Sequence, residues 1–268
     1  MLHRLRRPLH RGVSPRPAPG PVQRGATYLG ANARQSAARR SRVWLLDLDN
    51  TLHDSRPVLL PRIDRDMTAF MMSRLGLSEL EAGALRRHYW QRYGATLLGL
   101  VRHHSVEPTD FLHATHRFPD MRVLVRRNLR LRRALAQMPG RRVLVTNAPH
   151  HYARQVIGSL GISTLIEAIV SIEAMRVAGQ LRPKPSTALM RRIVARLRTH
   201  ASRCVMVEDT LANLVSARSA GLSTVLVAGR TARRDPGAPR RHAGSARIVD
   251  LQVQSFERIV RSPVRARC

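Results

Sequence analysis

Two aspartates, Asp47 and Asp49, stand where the apolar run Val43-Trp44-Leu45-Leu46 gives way to Asp-Leu-Asp-Asn-Thr. At a strand end the chain leaves regular β geometry and can turn Asp49 back toward Asp47, so the roles of the two can separate. A carboxylate held against a cation stays ionised and nucleophilic, whereas a neighbour free of direct metal contact can carry a proton. That division suits phosphoryl transfer. Asp47 would attack phosphorus and form an aspartyl-phosphate, while Asp49 protonates the leaving alkoxide and then takes a proton from the hydrolytic water.

Phosphoryl transfer asks mainly for positioning and charge neutralisation, and three further clusters offer both. Mg2+ takes oxygen ligands and keeps several waters, so Asp47, the backbone carbonyl of Asp49 and Asp209 suffice to hold it, with Glu208 as a direct or water-mediated partner. Thr146 brings a hydroxyl and Asn147 a backbone N–H to phosphoryl oxygens, and Thr51 is a further phosphate- or substrate-binding candidate. Lys184, the one lysine among 47 basic residues, would offset repulsion between nucleophile and phosphate with a compact ammonium. Each cluster alone has a plainer explanation: Asp-x-Asp and Thr-Asn make turns, Glu208-Asp209 suits the first turn of a helix, and single lysines are commonly solvated. The four together, in the order Asp-x-Asp-x-Thr, Thr-Asn, Lys, Glu-Asp, specify a magnesium-phosphoryl site.

Such a site needs elements that bring distant residues to one rim. From Val43 onward short apolar runs alternate with helix-period segments, the pattern of a parallel sheet with helices on both faces. The runs are 43–46, 142–145, 169–172, 204–207, 224–227 and Ala246-Arg247-Ile248-Val249, each expected as a buried strand. Ligands in such sheets bind outside the carboxyl ends of the strands, and Asp47, Thr146-Asn147 and Glu208-Asp209 all follow strands. Lys184 precedes Pro185 and a helix expected over Ser186 to Leu197. Between the first two strands lie about 90 residues without a comparable run but with the helical stripe Ile63, Met67, Phe70 and Met71. Further helices are expected near Ser78–Trp90, Ala95–His104 and Arg122–Gln137. The fold class is therefore α/β, a Rossmann-like doubly wound parallel sheet with an inserted α-helical cap. The expected organisation is a basic leader over 1–41, a core over 42–54 and 139–262, a cap over 55–138, and a basic loop over 230–245 within the core.

The order and context of these motifs resemble the haloacid dehalogenase-like hydrolase superfamily. Asp47-Leu48-Asp49-Asn50-Thr51-Leu52 resembles its first motif, Thr146 its second, Lys184 in Arg182-Pro183-Lys184-Pro185 its third, and Glu208-Asp209 its fourth. The insertion between the first and second motifs resembles the helical-cap subclass. Within it, Tyr93-Gly94-Ala95-Thr96-Leu97-Leu98-Gly99-Leu100 and Thr146-Asn147-Ala148-Pro149 are similar to the pyrimidine 5′-nucleotidase group. The resemblance implies hydrolysis of a small phosphomonoester such as UMP or CMP. Dehalogenases of the superfamily lack the second aspartate. Phosphomutases keep it and stay open, as do phosphatases of sugar phosphates or phosphoglycolate. His53 departs from the tyrosine common in nucleotidases and is expected to face the cap, where it bears on substrate identity. Tyr89, Trp90 and Tyr93 either stack on a nucleobase, Tyr93 foremost, or form the core of the cap. His103 and His104 either meet a ligand or end a helix.

Composition bounds the rest. At 268 residues and 43% hydrophobic content the chain can bury an ordinary core. Arginine interrupts every apolar stretch before membrane-spanning length. Cys204 and Cys268 offer neither a disulfide framework nor a zinc spacing, so a reducing cytoplasm is the expected compartment. The net charge of +30 argues for nucleic acid, yet much of it lies in residues 1–42 and in Arg230–Arg247, neither with interleaved aromatics. Nucleic-acid binding through a degenerate core is thus the disfavoured alternative. The leader is expected to be a disordered tail or an upstream start, with a transit peptide opposed by the prolines and glycines of Gly12–Pro21.

Overall fold

The structure, a computed structural model, describes residues 41–229 and 248–262. β1 (Val43–Leu46) is apolar and buried throughout, as a strand covered on both faces must be. The sheet also holds β2 (Arg141–Val145), β3 (Ala168–Val170), β6 (Cys204–Glu208), β7 (Ser223–Val227) and β8 (Leu251–Val253), in the order β3-β2-β1-β6-β7-β8. Every pairing is parallel, and β1 sits in register with both β2 and β6. The chain winds outward from β1 through β2 to β3 and then crosses to the other side of β1 at β6. That reversal opens a crevice at the carboxyl end of β1. A separate two-stranded hairpin, β4 (Arg176–Val177) and β5 (Gln180–Leu181), leads toward Lys184.

Period-two alternation divides β1 between two cores. Trp44 and Leu46 pack with Leu144, Val205 and Val207 on one face, and Val43 and Leu45 with Val143, Val145 and Met206 on the other. The first face is covered by α6 (Leu129–Gln137) and α7 (His150–Leu160), the second by α8 (Thr187–Arg196) and α9 (Leu211–Ser219). The fold is a doubly wound α/β sheet with a helical insertion.

The insertion carries α1 (Leu59–Leu75), α2 (Glu79–Tyr93), α3 (Thr96–His104), α4 (Pro108–Thr115) and the short α5 (Met121–Leu124). It has its own apolar cluster, including Met71, Ala82, Tyr89, Leu97, Leu100 and Phe111, which also reaches Ile172 and Leu181 of the core. Ser78 and Glu81 form a capping box that starts α2. Gly94 ends it with φ +78°, and a Cβ there would lie 2.9 Å from the Lys184 carbonyl oxygen. Glycine is therefore what lets the α2–α3 turn rest on the Lys184 segment.

Two sequence expectations need correction. The helix expected over Arg122–Gln137 is broken: α5 ends at Leu124 and α6 starts at Leu129, with the Asn128 side chain accepting from Leu131 N–H at 3.0 Å. Asn128 N–H meanwhile donates to Leu160 O, so capping and tertiary pairing override helical continuity. The last strand is Leu251–Val253 instead of 246–249: Ile248 and Val249 are not in a strand, and 246 and 247 lie outside the described residues. Asp250 sets the later entry by accepting from Thr224 N–H at 2.8 Å. The leader and the 230–245 loop also lie outside the described residues. No helix among those described is long and apolar enough to cross a membrane.

Candidate active site

Asp47 follows β1 directly, its N–H donating to Val207 O of β6 at 3.0 Å. Its Oδ1 accepts from Lys184 Nζ at 2.7 Å, and the same ammonium donates to Glu208 Oε1 at 2.8 Å. Lys184 is 1% exposed, so these ion pairs are shielded from solvent. Asn147 explains how a loop lysine is held there: its Nδ2 donates to Lys184 O at 2.8 Å and its Oδ1 accepts from Lys184 N–H at 3.0 Å. Asn147 after β2 therefore fixes the lysine segment. Thr146 is buried and its Oγ1 accepts from Ala148 N–H. Glu208 is tied down by Lys184, by Thr210 N–H at 2.7 Å and by Asn213 Nδ2. Asp209 is less encumbered, accepting from Thr210 Oγ1 at 3.3 Å.

The segment after Asp47 turns at once. Leu52 N–H donates to Leu48 O at 2.9 Å, and Asn50 adopts φ +63°, a left-handed conformation that asparagine tolerates. Asn50 Oδ1 secures the turn by accepting from Ser55 Oγ at 2.9 Å and Ser55 N–H at 3.2 Å. Asp49 is thereby placed on the crevice side, where its Oδ1 meets Tyr152 OH at 2.7 Å and His53 Nε2 at 3.1 Å. His53, expected to face the cap, has a side chain only 8% exposed and turned to Asp49. Thr51 is buried, and its Oγ1 has no hydrogen-bond partner among the described residues.

The two aspartates sit in opposite electrostatic settings. Burial, with the nearby Glu208 charge, pushes Asp47 up to about 7 against the pull of Lys184. Burial acts on Asp49 too, but the hydrogen bond and charge of His53 and the Tyr152 hydroxyl outweigh it and hold Asp49 below the usual carboxylate range. Burial followed by Glu208 and Asp47 pushes Asp209 up to about 8, whereas Lys184 and the bond from Thr210 N–H keep Glu208 low despite its burial.

Asp47, Glu208 and Asp209 each present an oxygen, and these lie within 4.8 Å of one another. The donors are all hard oxygens, and three carboxylates face a single ammonium. Both facts suit a divalent cation such as Mg2+. Asp47 and Asp209 are the better-placed ligands, since Glu208 already spends both oxygens on protein donors.

In the cap, Tyr89 is buried in the apolar cluster and Trp90 is 59% exposed. Tyr93 is half-buried, with its hydroxyl 2.8 Å from His103 Nε2 and Arg102 over its ring at 5.1 Å. His104 pairs with the Tyr89 hydroxyl at 2.7 Å. Sequence reasoning missed Tyr152 and His116, the latter buried and edge-on to the Tyr152 ring at 5.5 Å. The available signal was a polar-tipped aromatic in the first turn of the helix that follows Thr146-Asn147.

An aspartate stands at the switch point of this doubly wound sheet, paired with a buried lysine and beside a second acidic pair. Residues 42–221 match the family described as haloacid dehalogenase-like hydrolase, and the chain belongs to that family. It is 23% identical over 198 residues to Phosphate metabolism protein 8 of Saccharomyces cerevisiae, covering 69% of this chain and 61% of that protein. The chain thus spans under two thirds of that relative's length. Among solved structures it resembles a haloacid dehalogenase-like hydrolase from Burkholderia xenovorans LB400, with TM-score 0.54 and 19% identity over 84% of this chain and 97% of the other. It also resembles the L-2-haloacid dehalogenase of Xanthobacter autotrophicus, with TM-score 0.51 and 17% identity over 85% of this chain and all of the other. These two likenesses concern the fold.

Proposed function

We propose that this hydrolase is a magnesium-dependent phosphomonoesterase that works through an aspartyl-phosphate on Asp47 and acts on pyrimidine nucleoside 5′-monophosphates. The observation that carries the reading is the separate anchoring of two neighbouring carboxylates, Asp47 by Lys184 and Asp49 by His53 and Tyr152. Such divergent environments mark a division of labour. A dehalogenase has no leaving alkoxide to protonate and no use for Asp49.

Asp47 and Asp209, with the Asp49 carbonyl and Glu208 nearby, would hold Mg2+, which when bound neutralises carboxylate and phosphoryl charge. Burial with the Glu208 charge favours a proton on Asp47, whereas His53 and the Tyr152 hydroxyl favour an ionised Asp49. A cation held at the carboxylate cluster would favour the ionised form of Asp47. Lys184 opposes the rise of Asp47 and orients it. Thr146 and Thr51 bind phosphoryl oxygens, Thr51 with its otherwise unpartnered hydroxyl, and the Asn147 N–H joins them. Asp49 gives its proton to the leaving alkoxide and recovers one from water.

Residues 55–138 act in this reading as the cap that closes over a core of 42–54 and 139–262 and excludes water. The Tyr93-Gly94 turn rests on the Lys184 segment, which supports Tyr93 as the ring that stacks on a pyrimidine, backed by Arg102 and His103. His53 bears on catalysis through Asp49 and not on the base. The test is released phosphate from UMP, CMP, sugar phosphates and phosphoglycolate with and without Mg2+. Magnesium-dependent release, fastest with UMP or CMP, is expected. Release from none of them contradicts the proposal, and accumulation of an isomeric sugar phosphate in place of free phosphate identifies a phosphomutase.

A further inference from the structure

Asp49 is gripped by two side chains from different elements, both on the same oxygen. Tyr152 OH donates to Oδ1 at 2.7 Å from the first turn of α7, 103 residues away, and His53 Nε2 lies 3.1 Å from Oδ1 at the close of the Asp49↔His53 bridge. No hydrogen bond reaches Asp49 Oδ2 among the described residues. The Tyr152 ring is itself fixed: it is fully buried, with His116 edge-on at 5.5 Å and Phe118 at 5.6 Å. Burial and the Asp49 charge hold its phenol well above the ordinary tyrosine value, so the hydroxyl stays a proton donor.

A phenylalanine would fill the same space, and a buried hydroxyl is costly unless partnered. A bond made only to satisfy that hydroxyl would not require a second donor on the same carboxylate oxygen. The shared target instead makes the two oxygens of Asp49 inequivalent.

We propose that Tyr152 and His53 are positioning residues that pin Asp49 through Oδ1 and thereby assign Oδ2 to proton exchange with the leaving group and the hydrolytic water. The inference rests on the phosphomonoesterase reading above. In the first step a bond forms between the Asp47 carboxylate oxygen and phosphorus, and the bond from phosphorus to the ester oxygen breaks. The departing oxygen keeps the electron pair and takes the proton from Asp49 Oδ2. In the second, water oxygen bonds to phosphorus, the Asp47–phosphorus link breaks to restore the carboxylate, and a water proton passes to Oδ2. The clamp matters in proportion to the leaving group's need for a proton: p-nitrophenolate departs without one, an alkoxide does not.

The test is Tyr152→Phe, with His53→Asn as a second variant, assayed for kcat/KM, which covers the steps through ester cleavage. The two substrates are p-nitrophenyl phosphate and UMP, the latter replaced by a faster alkyl phosphate if the panel above reveals one. The ratio of kcat/KM for the alkyl ester to that for the aryl ester is expected to fall roughly 10- to 100-fold in each variant. A ratio equal to wild type, whether both rates fall together or neither falls, overturns the clamp and leaves the phosphatase reading standing. A wild-type enzyme that releases phosphate from neither ester overturns that reading and the clamp with it.

Discussion

Lys184 is the residue on which the site's charge balance turns. Its ammonium serves Asp47 and Glu208 at once, and both carboxylates are buried. Removing one partner of a buried ion network leaves uncompensated charge, which costs about 3–5 kcal/mol. Lys184→Met should therefore lower stability by about that much in urea unfolding at pH 8 and abolish turnover; a variant of wild-type stability would show that the network contributes little. The single lysine was visible in the sequence because every other basic side chain is arginine. What holds it was not. Asn147 was expected to serve phosphate through its backbone, and its side chain was free of any assignment, yet that side chain brackets the Lys184 backbone on both sides. Tyr152 was likewise illegible, since a tyrosine in an apolar helix acquires meaning only when its hydroxyl meets Asp49, 103 residues distant.

At the scale of elements, the apolar runs 43–46, 142–145, 204–207 and 224–227 read correctly as strands because both faces of this sheet are covered, so little polar alternation obscures them. The rule that ligands gather at carboxyl ends of strands points to one rim for Asp47, Thr146 and Glu208-Asp209, and the oxygens of Asp47, Glu208 and Asp209 do converge. The reading weakened where side-chain capping competes with periodicity, as at Asn128 and Asp250. The glycines of the Tyr93–Leu100 segment have structural causes: Gly94 turns against Lys184, and a Cβ on Gly99 would run into the Tyr89 ring. Gly94→Ala must adopt φ +78° and also intrude on the Lys184–Pro185 segment. A loss of roughly 1–3 kcal/mol in stability is expected, with kcat/KM down about tenfold or more as Lys184 shifts. Thermal unfolding and steady-state rates check both, and unchanged rates would place the cap turn outside the control of the lysine.

For the whole molecule, the buried His116 makes stability depend on pH. Burial pushes it down to about 4, the Asp49 charge opposing and His151 assisting, with the Tyr152 ring packed against it. Its folded value lies below its unfolded one, so the unfolded chain binds the extra proton, and stability present above about pH 6.5 is lost as pH falls toward 4. The slope from this one group is at most about 1.4 kcal/mol per pH unit across that window. His116→Gln should flatten the acid limb of the stability curve, measured by urea unfolding from pH 7 to pH 4.5; an equally steep limb would assign the acid sensitivity elsewhere. The net charge of +30 belongs to the chain as a whole and not to the proposed site. The residues of the proposed chemistry all lie in the described core, and their local balance is acidic.

The central claim is that phosphorus becomes bonded to Asp47. Enzyme mixed with UMP and Mg2+, quenched in acid within one turnover and digested, should yield the peptide containing Asp47 with the added mass of one phosphoryl group. Asp47→Asn should show neither that species nor phosphate release. Phosphorylation mapped to another residue, or turnover retained by Asp47→Asn, would contradict it.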